Sequence, residues 1–382
     1  MKAVMYGGGN IGRGFIGALF SASGYNVTFI DVADAVVSEL REKKSYPLRY
    51  VSGDTHEDVL IKNVTAVNGN DAEAASDAIA ECDIMATAVG ARILKFIICE
   101  NLMDANLVLE GMIKENLTDA ERIKFDETVG LVEASIGRMV PIQTDEMKDG
   151  EPLRVCVEKY GFLPVDKSAF KGEIPSICGM IPFSQFDFYI KRKLYIHNMG
   201  HAVCAYLGDI LGLEYIYEAI DNPEIRLISE NAMLESAEAL SKKYSVDLSL
   251  IQSHITDLLF RFTNAALRDT CKRVGGDPAR KLSPSDRLIG SASLALDMGI
   301  TPAYIAVGAA AGLKRYINET ESPEQTEATA ARVLSEISAL EPSSKLSKLI
   351  LTYYTMLTDN CDISSLRRTA ERIKRSEMGE II

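Results

Sequence analysis

The chain has 382 residues, 47% of them apolar and 25% charged, a folded globular composition on a length that suits two cores rather than one. Its formal net charge of −13 speaks against nucleic acid and anionic membrane surfaces as partners, because both are held by basic patches. Seven scattered cysteines without a C-x-x-C pair exclude a disulfide framework or zinc finger. With an N-terminus that runs into glycines and no apolar run of ~18 residues, they predict a reduced, cytoplasmic setting and no membrane span.

The first 30 or so residues read as a β-α-β unit. KAVMY (2–6) is a short apolar run, GGGNIGRG (7–14) a glycine turn, and FIGALFSASG (15–24) has helical apolar spacing that stops at Gly24. NVTFID (26–31) is β-branched and ends in an acid. VLIKNVTAV, around residues 58–66, predicts another strand, DAEAASDAIAE (71–81) a helix, and DIMATAVG (83–90) a buried strand entering a glycine turn. LVEASIGRMVP (131–141) and LRVCVEKY (153–160) read as further strands, and residues 161–180 as a loop-rich connection.

The character changes near residues 185–192. Beyond that point long helical patterns dominate, at 200–213, 228–244 and 251–267, and the tail is a charged amphipathic helix. The expected architecture is an α/β domain with a parallel-rich sheet over residues 1–190, followed by an all-α domain over 191–382.

Gly7, Gly9 and Gly12 form a G-x-G-x-x-G pattern that follows a strand and opens a helix, and Asp31 closes the next strand 19 residues after Gly12. This is the dinucleotide fingerprint in its structural context. Gly7 permits the tight turn, Gly9 lets a pyrophosphate approach, and Gly12 lets helix and strand pack. The helix start at Asn10 and Ile11 offers free N–H groups to phosphate. A carboxylate at Asp31 suits a ribose diol and repels a 2′-phosphate, so NAD(H) is expected over NADP(H).

KRKLYIHNMGH (191–201) holds two of the four histidines. At roughly 100° per residue, Lys193, His197, Asn198 and His201 share one helix face. Oxidation of an alcohol needs a base. A lysine serves when burial and cationic neighbours lower its pKa to about 7–8; Lys191, Arg192 and any protonated histidine are such neighbours. Asn198 and His201 can then polarise the substrate oxygen, and no metal is required. By residue type alone, the stretch fits equally a helix start with Asn198 in a turn and His201 filling a core gap.

GGGNIGRGFIGALF (7–20) and RKLYIHNMGHAVCAYLG (192–208) resemble the polyol-specific long-chain dehydrogenases, the mannitol dehydrogenase family. The second stretch carries that family's K-x4-N-x2-H motif as Lys193, Asn198 and His201, and CEN (99–101), VDKSAFKG (165–172) and DPARKLSPSDRLIG (277–290) also match. The resemblance implies a Rossmann domain, a helical domain, Lys193 as general acid/base, and Asn198 and His201 polarising the reacting oxygen. The chain departs from the pattern at His197, at Gly137, where relatives carry an acid before Arg138 and Pro141, and at Glu133, where relatives carry Asn or Asp.

The length suits a compact sugar-phosphate branch. The implied reaction is the NAD-dependent interconversion of D-mannitol 1-phosphate and D-fructose 6-phosphate. A phosphate needs cations, and KRVGGDPARKLSPSDR (272–287) is the best basic loop, with Arg280, Lys281 and Arg287 as candidates and Glu133 as a further substrate residue. Each of these also reads as a salt-bridged structural residue. The alternatives are an unphosphorylated polyol or hexuronate as substrate, or a non-catalytic dinucleotide-binding regulator. The oligomeric state stays open, with a monomer allowed.

Overall fold

The apolar run at residues 2–6 becomes an inner strand of a parallel sheet in the computed structural model, which describes residues 1–88, 105–320 and 326–377 and the backbone strand at 97–98. The chain divides into two units, Met1–Tyr189 and Ile190–Ile382.

The strands of the first unit are β1 (Lys2–Tyr6), β2 (Asn26–Asp31), β3 (Ser45–Ser52), β4 (Thr55–Lys62), β5 (Val64–Asn68), β6 (Ile84–Thr87), β7 (Ile97–Ile98), β8 (Val132–Glu133), β9 (Val155–Val157), β10 (Leu163–Asp166) and β11 (Met180–Phe183). The main sheet runs β5-β2-β1-β6-β7-β8, all parallel. Successive strands move outward on one side of β1 and then on the other. The strand order therefore reverses between β1 and β6, the point beside which open α/β sheets bind ligands. Ala3, Val4 and Met5 are all buried, as a strand covered on both faces requires.

Four expectations need correction. The strand around 58–66 is two strands, because Asn63 adopts a left-handed φ of 58° and breaks the run. Its first half is β4, antiparallel to β3; its second half is β5, in the main sheet. The strands expected at 131–141 and 153–160 shrink to β8 and β9. Within the loop-rich stretch, β10 forms and pairs in parallel with β11. The helix expected at 15–24 starts at Asn10 and passes through a π-helical turn, Gly12–Ile16, before its α-helical part Gly17–Ala22.

The second sheet, β4-β3-β9, braces the first. Tyr46 of β3 is fully buried against Phe29, ring centroids 5.8 Å apart, and its hydroxyl donates to the Arg13 carbonyl at 2.7 Å. Phe15, Phe20, Phe29, Leu40 and Leu48 fill the same core. Burying side chains of this size contributes about 1.5–3 kcal/mol each.

The second unit is helical throughout its described residues apart from loops and the isolated bridge Tyr215↔Thr270. Its centre is the helix Ala303–Glu319, whose run of Ala and Gly lets the helices Met199–Ile210 and Lys345–Thr358 approach closely. That helix follows Pro302, which offers no side-chain cap. Glu235, buried on the helix Pro223–Tyr244, supplies the cap from outside and accepts the N–H groups of Tyr304 and Ile305 at 3.1 and 3.0 Å. Lys374 on the last helix lies 3.8 Å from the same carboxyl.

Candidate active site

The candidate residues of the first unit lie along the carboxyl edge of the main sheet. Gly7 leaves β1 with φ 101°, which glycine adopts freely, and donates its N–H to the Ile30 carbonyl at 2.8 Å. A Cβ on Gly12 would press into the Gly7 carbonyl oxygen, whereas one on Gly9 would meet nothing within 4 Å. The turn is thus closed beneath and open above. Asn10 is exposed and Ile11 half-buried at the helix start.

Asp31 ends β2 with both carboxylate oxygens oriented by backbone. Oδ2 accepts from Gly8 N–H at 2.7 Å and Oδ1 from Ala33 N–H at 2.9 Å. A fixed, acceptor-only carboxylate beside a glycine turn suits a ribose diol, and the open face over Gly9 suits a pyrophosphate. These residues therefore fit a dinucleotide. Sequence reasoning missed Arg13, whose buried guanidinium donates to the carbonyls of Gly8 and Leu153, each at 2.6 Å, and ties the turn to the segment before β9. The signal was a lone arginine between two glycines of the turn.

Glu133 is the last residue of β8, half-buried, in register with Ile98. Because the strands are parallel, it shares the carboxyl edge with the glycine turn and Asp31. Arg138 directs its guanidinium to the carbonyls of Tyr160 and Gly14, at 2.5 and 2.7 Å, with Phe15 beneath it. The matching stretch 99–101 lies outside the described residues.

In the second unit, Lys193–Asn198 is a π-helical turn set between the α-helices Phe186–Arg192 and Met199–Ile210. This corrects the constant 100° step expected here. A π turn, with its i→i+5 hydrogen bonds, advances fewer degrees per residue, so Lys193 and Asn198 are closer in angle than α spacing would set them. Such turns recur at functional sites. Lys191 lies over the Tyr195 ring, 5.1 Å from its centroid.

The histidines correct a second expectation. Burial, aided by Arg261 and Lys193, holds His197 well below the usual imidazole range. Burial likewise pushes His201 down to about 4, opposed by Asp269 and aided by Arg273, Arg287 and Arg261. A third ring, His254 on the helix Leu248–Phe262, falls to about 3 through burial and the nearby charges of Arg192 and Arg261. With their proton affinity lowered in this way, the three add no positive charge beside Lys193 at neutral pH.

His201 stacks on Phe262, centroids 4.7 Å apart at 18°, and its buried Nε2 lies 3.4 Å from Asp269 Oδ2, off the line of a hydrogen bond. Sequence reasoning missed Asp269, Phe262 and Arg261. Arg261 and Phe262 come from the end of the helix Leu248–Phe262 and Asp269 from the connection that follows it, and only tertiary packing brings them to His201.

The basic loop is largely compensated from within. Arg280 pairs with Asp277 at 2.7 Å and Asp286 at 3.2 Å, and Arg287 with Asp286 at 2.7 Å. Lys281 is buried, donates to the Gly276 carbonyl, and is pushed down to about 8, chiefly by burial and then by Arg287 and Arg280. Among the described residues no three His, Cys, Asp or Glu side chains gather as metal ligands, and no helix is long and apolar enough to cross a membrane.

Comparison with known proteins gives the family and the fold. The mannitol dehydrogenase Rossmann domain matches residues 1–98 and the mannitol dehydrogenase C-terminal domain residues 185–364. A mannitol-1-phosphate 5-dehydrogenase of Bacillus subtilis is 36% identical over 379 residues, covering 92% of this chain and 99% of the relative. One of Brevibacillus brevis is 36% identical over 335 residues, covering 82% and 86%. The mannitol 2-dehydrogenase of Pseudomonas fluorescens, solved with NAD and D-mannitol, shares the fold with a TM-score of 0.72 at 15% identity, over 97% of this chain and 94% of that one. A D-sorbitol dehydrogenase solved in substrate-free form gives 0.75 at 14% identity, over 94% and 93%. With both domains matched and relatives aligned along nearly the whole chain, the protein belongs to the mannitol dehydrogenase family.

Proposed function

We propose that this dehydrogenase interconverts D-mannitol 1-phosphate and D-fructose 6-phosphate with NAD(H), in a reduced cytoplasm. The observation that carries the reading is the shared name of relatives 33–36% identical over 82–92% of the chain. The cofactor, when bound, supplies the hydride acceptor for oxidation. Gly9, Asn10 and Ile11 hold its pyrophosphate on the turn that Gly7 and Gly12 shape, and Asp31 its adenosine ribose. Lys193 takes the hydroxyl proton as the carbinol hydrogen departs, and returns it in the reverse direction. Asn198 donates a hydrogen bond to the same oxygen. No step in this scheme calls on a metal ion.

Arg280, Lys281 and Arg287 are the cations proposed for the phosphate, and Glu133 contacts the sugar. A second reading, an unphosphorylated polyol or hexuronate, draws support from Asp277 and Asp286, which already engage Arg280 and Arg287. NADH oxidation assayed over paired ketose phosphates, free ketoses and ketouronates separates the two. A larger kcat/KM for D-fructose 6-phosphate than for D-fructose supports the phosphate reading, and the reverse order overturns it.

A further inference from the structure

The scheme above leaves Asp269 without a task, although its setting is built with care. Its side chain is 11% exposed, and two of its neighbours tie its backbone to the segment before the helix Ile216–Asp221: Thr270 bridges Tyr215, and Cys271 N–H donates to the Glu214 carbonyl at 2.9 Å. Asp269's own carbonyl accepts from Ile216 N–H at 2.9 Å. Arg273 grips one carboxylate oxygen, Oδ1, with both Nε and a terminal nitrogen. The other oxygen, Oδ2, is left facing Nε2 of His201 at 3.4 Å.

His201 in turn has little freedom. Phe262 fixes the plane of its ring, and Nε2 is buried without a hydrogen bond. A buried unpaired nitrogen costs about 1–3 kcal/mol, which a small adjustment of the ring or carboxylate recovers. The ring is neutral, so one nitrogen carries the proton and the other a lone pair. A lone pair on Nε2 would be repelled by the carboxylate oxygen 3.4 Å away, whereas a proton there would be attracted to it. The carboxylate thus selects the tautomer.

We propose that Asp269 is a positioning residue that holds the Nε2–H of His201 and leaves Nδ1 as a hydrogen-bond acceptor toward a substrate hydroxyl. The family resemblance gives His201 a share in polarising the reacting oxygen. Here that donor task passes to Asn198 alone, and His201 orients the substrate by accepting. The inference rests on the dehydrogenase reading for its substrate, but not for the state of the ring.

Two measurements test it. The first is 15N NMR of histidine-labelled wild-type protein at pH 7, with His201→Gln identifying the His201 signals. The expected spectrum shows a protonated Nε2 and a lone pair on Nδ1; an Nδ1–H ring overturns the proposal whatever the activity. The second is Asp269→Asn, whose amide can donate to Nε2 and so allows the ring to switch tautomer. It is expected to shift the spectrum toward Nδ1–H and to lower kcat on D-mannitol 1-phosphate about tenfold or more, with the Kd for NADH unchanged. An unchanged tautomer in folded Asp269→Asn protein overturns the assignment. If that variant does not fold, the wild-type spectrum alone decides. If the wild-type protein ignores sugar phosphates, the substrate reading falls while the spectrum still judges Asp269.

Discussion

Gly8 donates its backbone N–H to Asp31 Oδ2 at 2.7 Å, so the glycine turn and the end of β2 form one rigid corner. The bond orients a carboxylate without neutralising it, and Asp31 keeps lone pairs for a ribose diol. Asp31→Ala is expected to weaken NAD(H) by roughly 1.5–3 kcal/mol, the worth of hydrogen bonds to a charged group. NADP(H) should lose less, because a repulsive charge also goes. Fluorescence titration with both reduced cofactors checks this. Equal affinity of the wild-type protein for the two would remove Asp31 from the role.

The parallel sheet was legible because strand and helix alternate locally from residue 2 onward, and the helical second unit because its apolar spacing persists over long stretches. The β3–β4 hairpin was not, since the first half of β4, Thr55–Asp58, is polar and exposed, and the break at Asn63 is a single left-handed residue. Lys193, Asn198 and His201 could be picked out as candidates because their motif is contiguous in the sequence. Their phase could not, because a π turn leaves no mark in apolar periodicity. Nor could the neutral state of the histidines, which depends on burial and on arginines from other helices.

The cap from Glu235 makes a stability prediction independent of catalysis. Glu235→Ala leaves the N–H groups of Tyr304 and Ile305 buried and unpaired, and should cost about 2–4 kcal/mol in denaturant unfolding. Burial pushes Glu235 up to about 8 from an ordinary 4.5. A raised carboxyl binds its proton more tightly in the folded state, so its contribution is fully present below the ordinary value and declines as pH rises toward 8. Relative to Glu235→Gln, which carries a constant offset, wild-type stability should fall between pH 5 and 8 by about 1.4 kcal/mol per unit at most and level off above. A flat difference across that window would mean that Glu235 is ionised throughout.

Arg280 is the most accessible of the three loop cations, and each of its two carboxylate partners also belongs to the loop. Neutralising Arg280, Lys281 and Arg287 one at a time should raise KM for the sugar phosphate more than for its unphosphorylated analogue. A charge-assisted hydrogen bond is worth about 1.5–3 kcal/mol, so the effect at a true contact is roughly tenfold or more. Equal effects on both substrates at all three positions would make the loop a structural clamp.

Lys193 opens a π turn whose far end is Asn198, and its charge is felt at His197. As the proposed proton acceptor it is needed neutral. Lys193→Ala should therefore remove most of kcat in oxidation, roughly 10²–10⁴-fold, while NADH titration stays normal because the glycine turn belongs to the other unit. Added primary amines or high pH should restore part of the rate, since what is missing is a base. Asn198→Ala should lower kcat without such rescue, because it supplies a hydrogen bond and no proton acceptor. The contrast between the two variants separates proton transfer from polarisation more sharply than either loss alone. Near-normal kcat in folded Lys193→Ala protein, with NADH bound as tightly as in the wild type, would return this lysine to a solvated helix face.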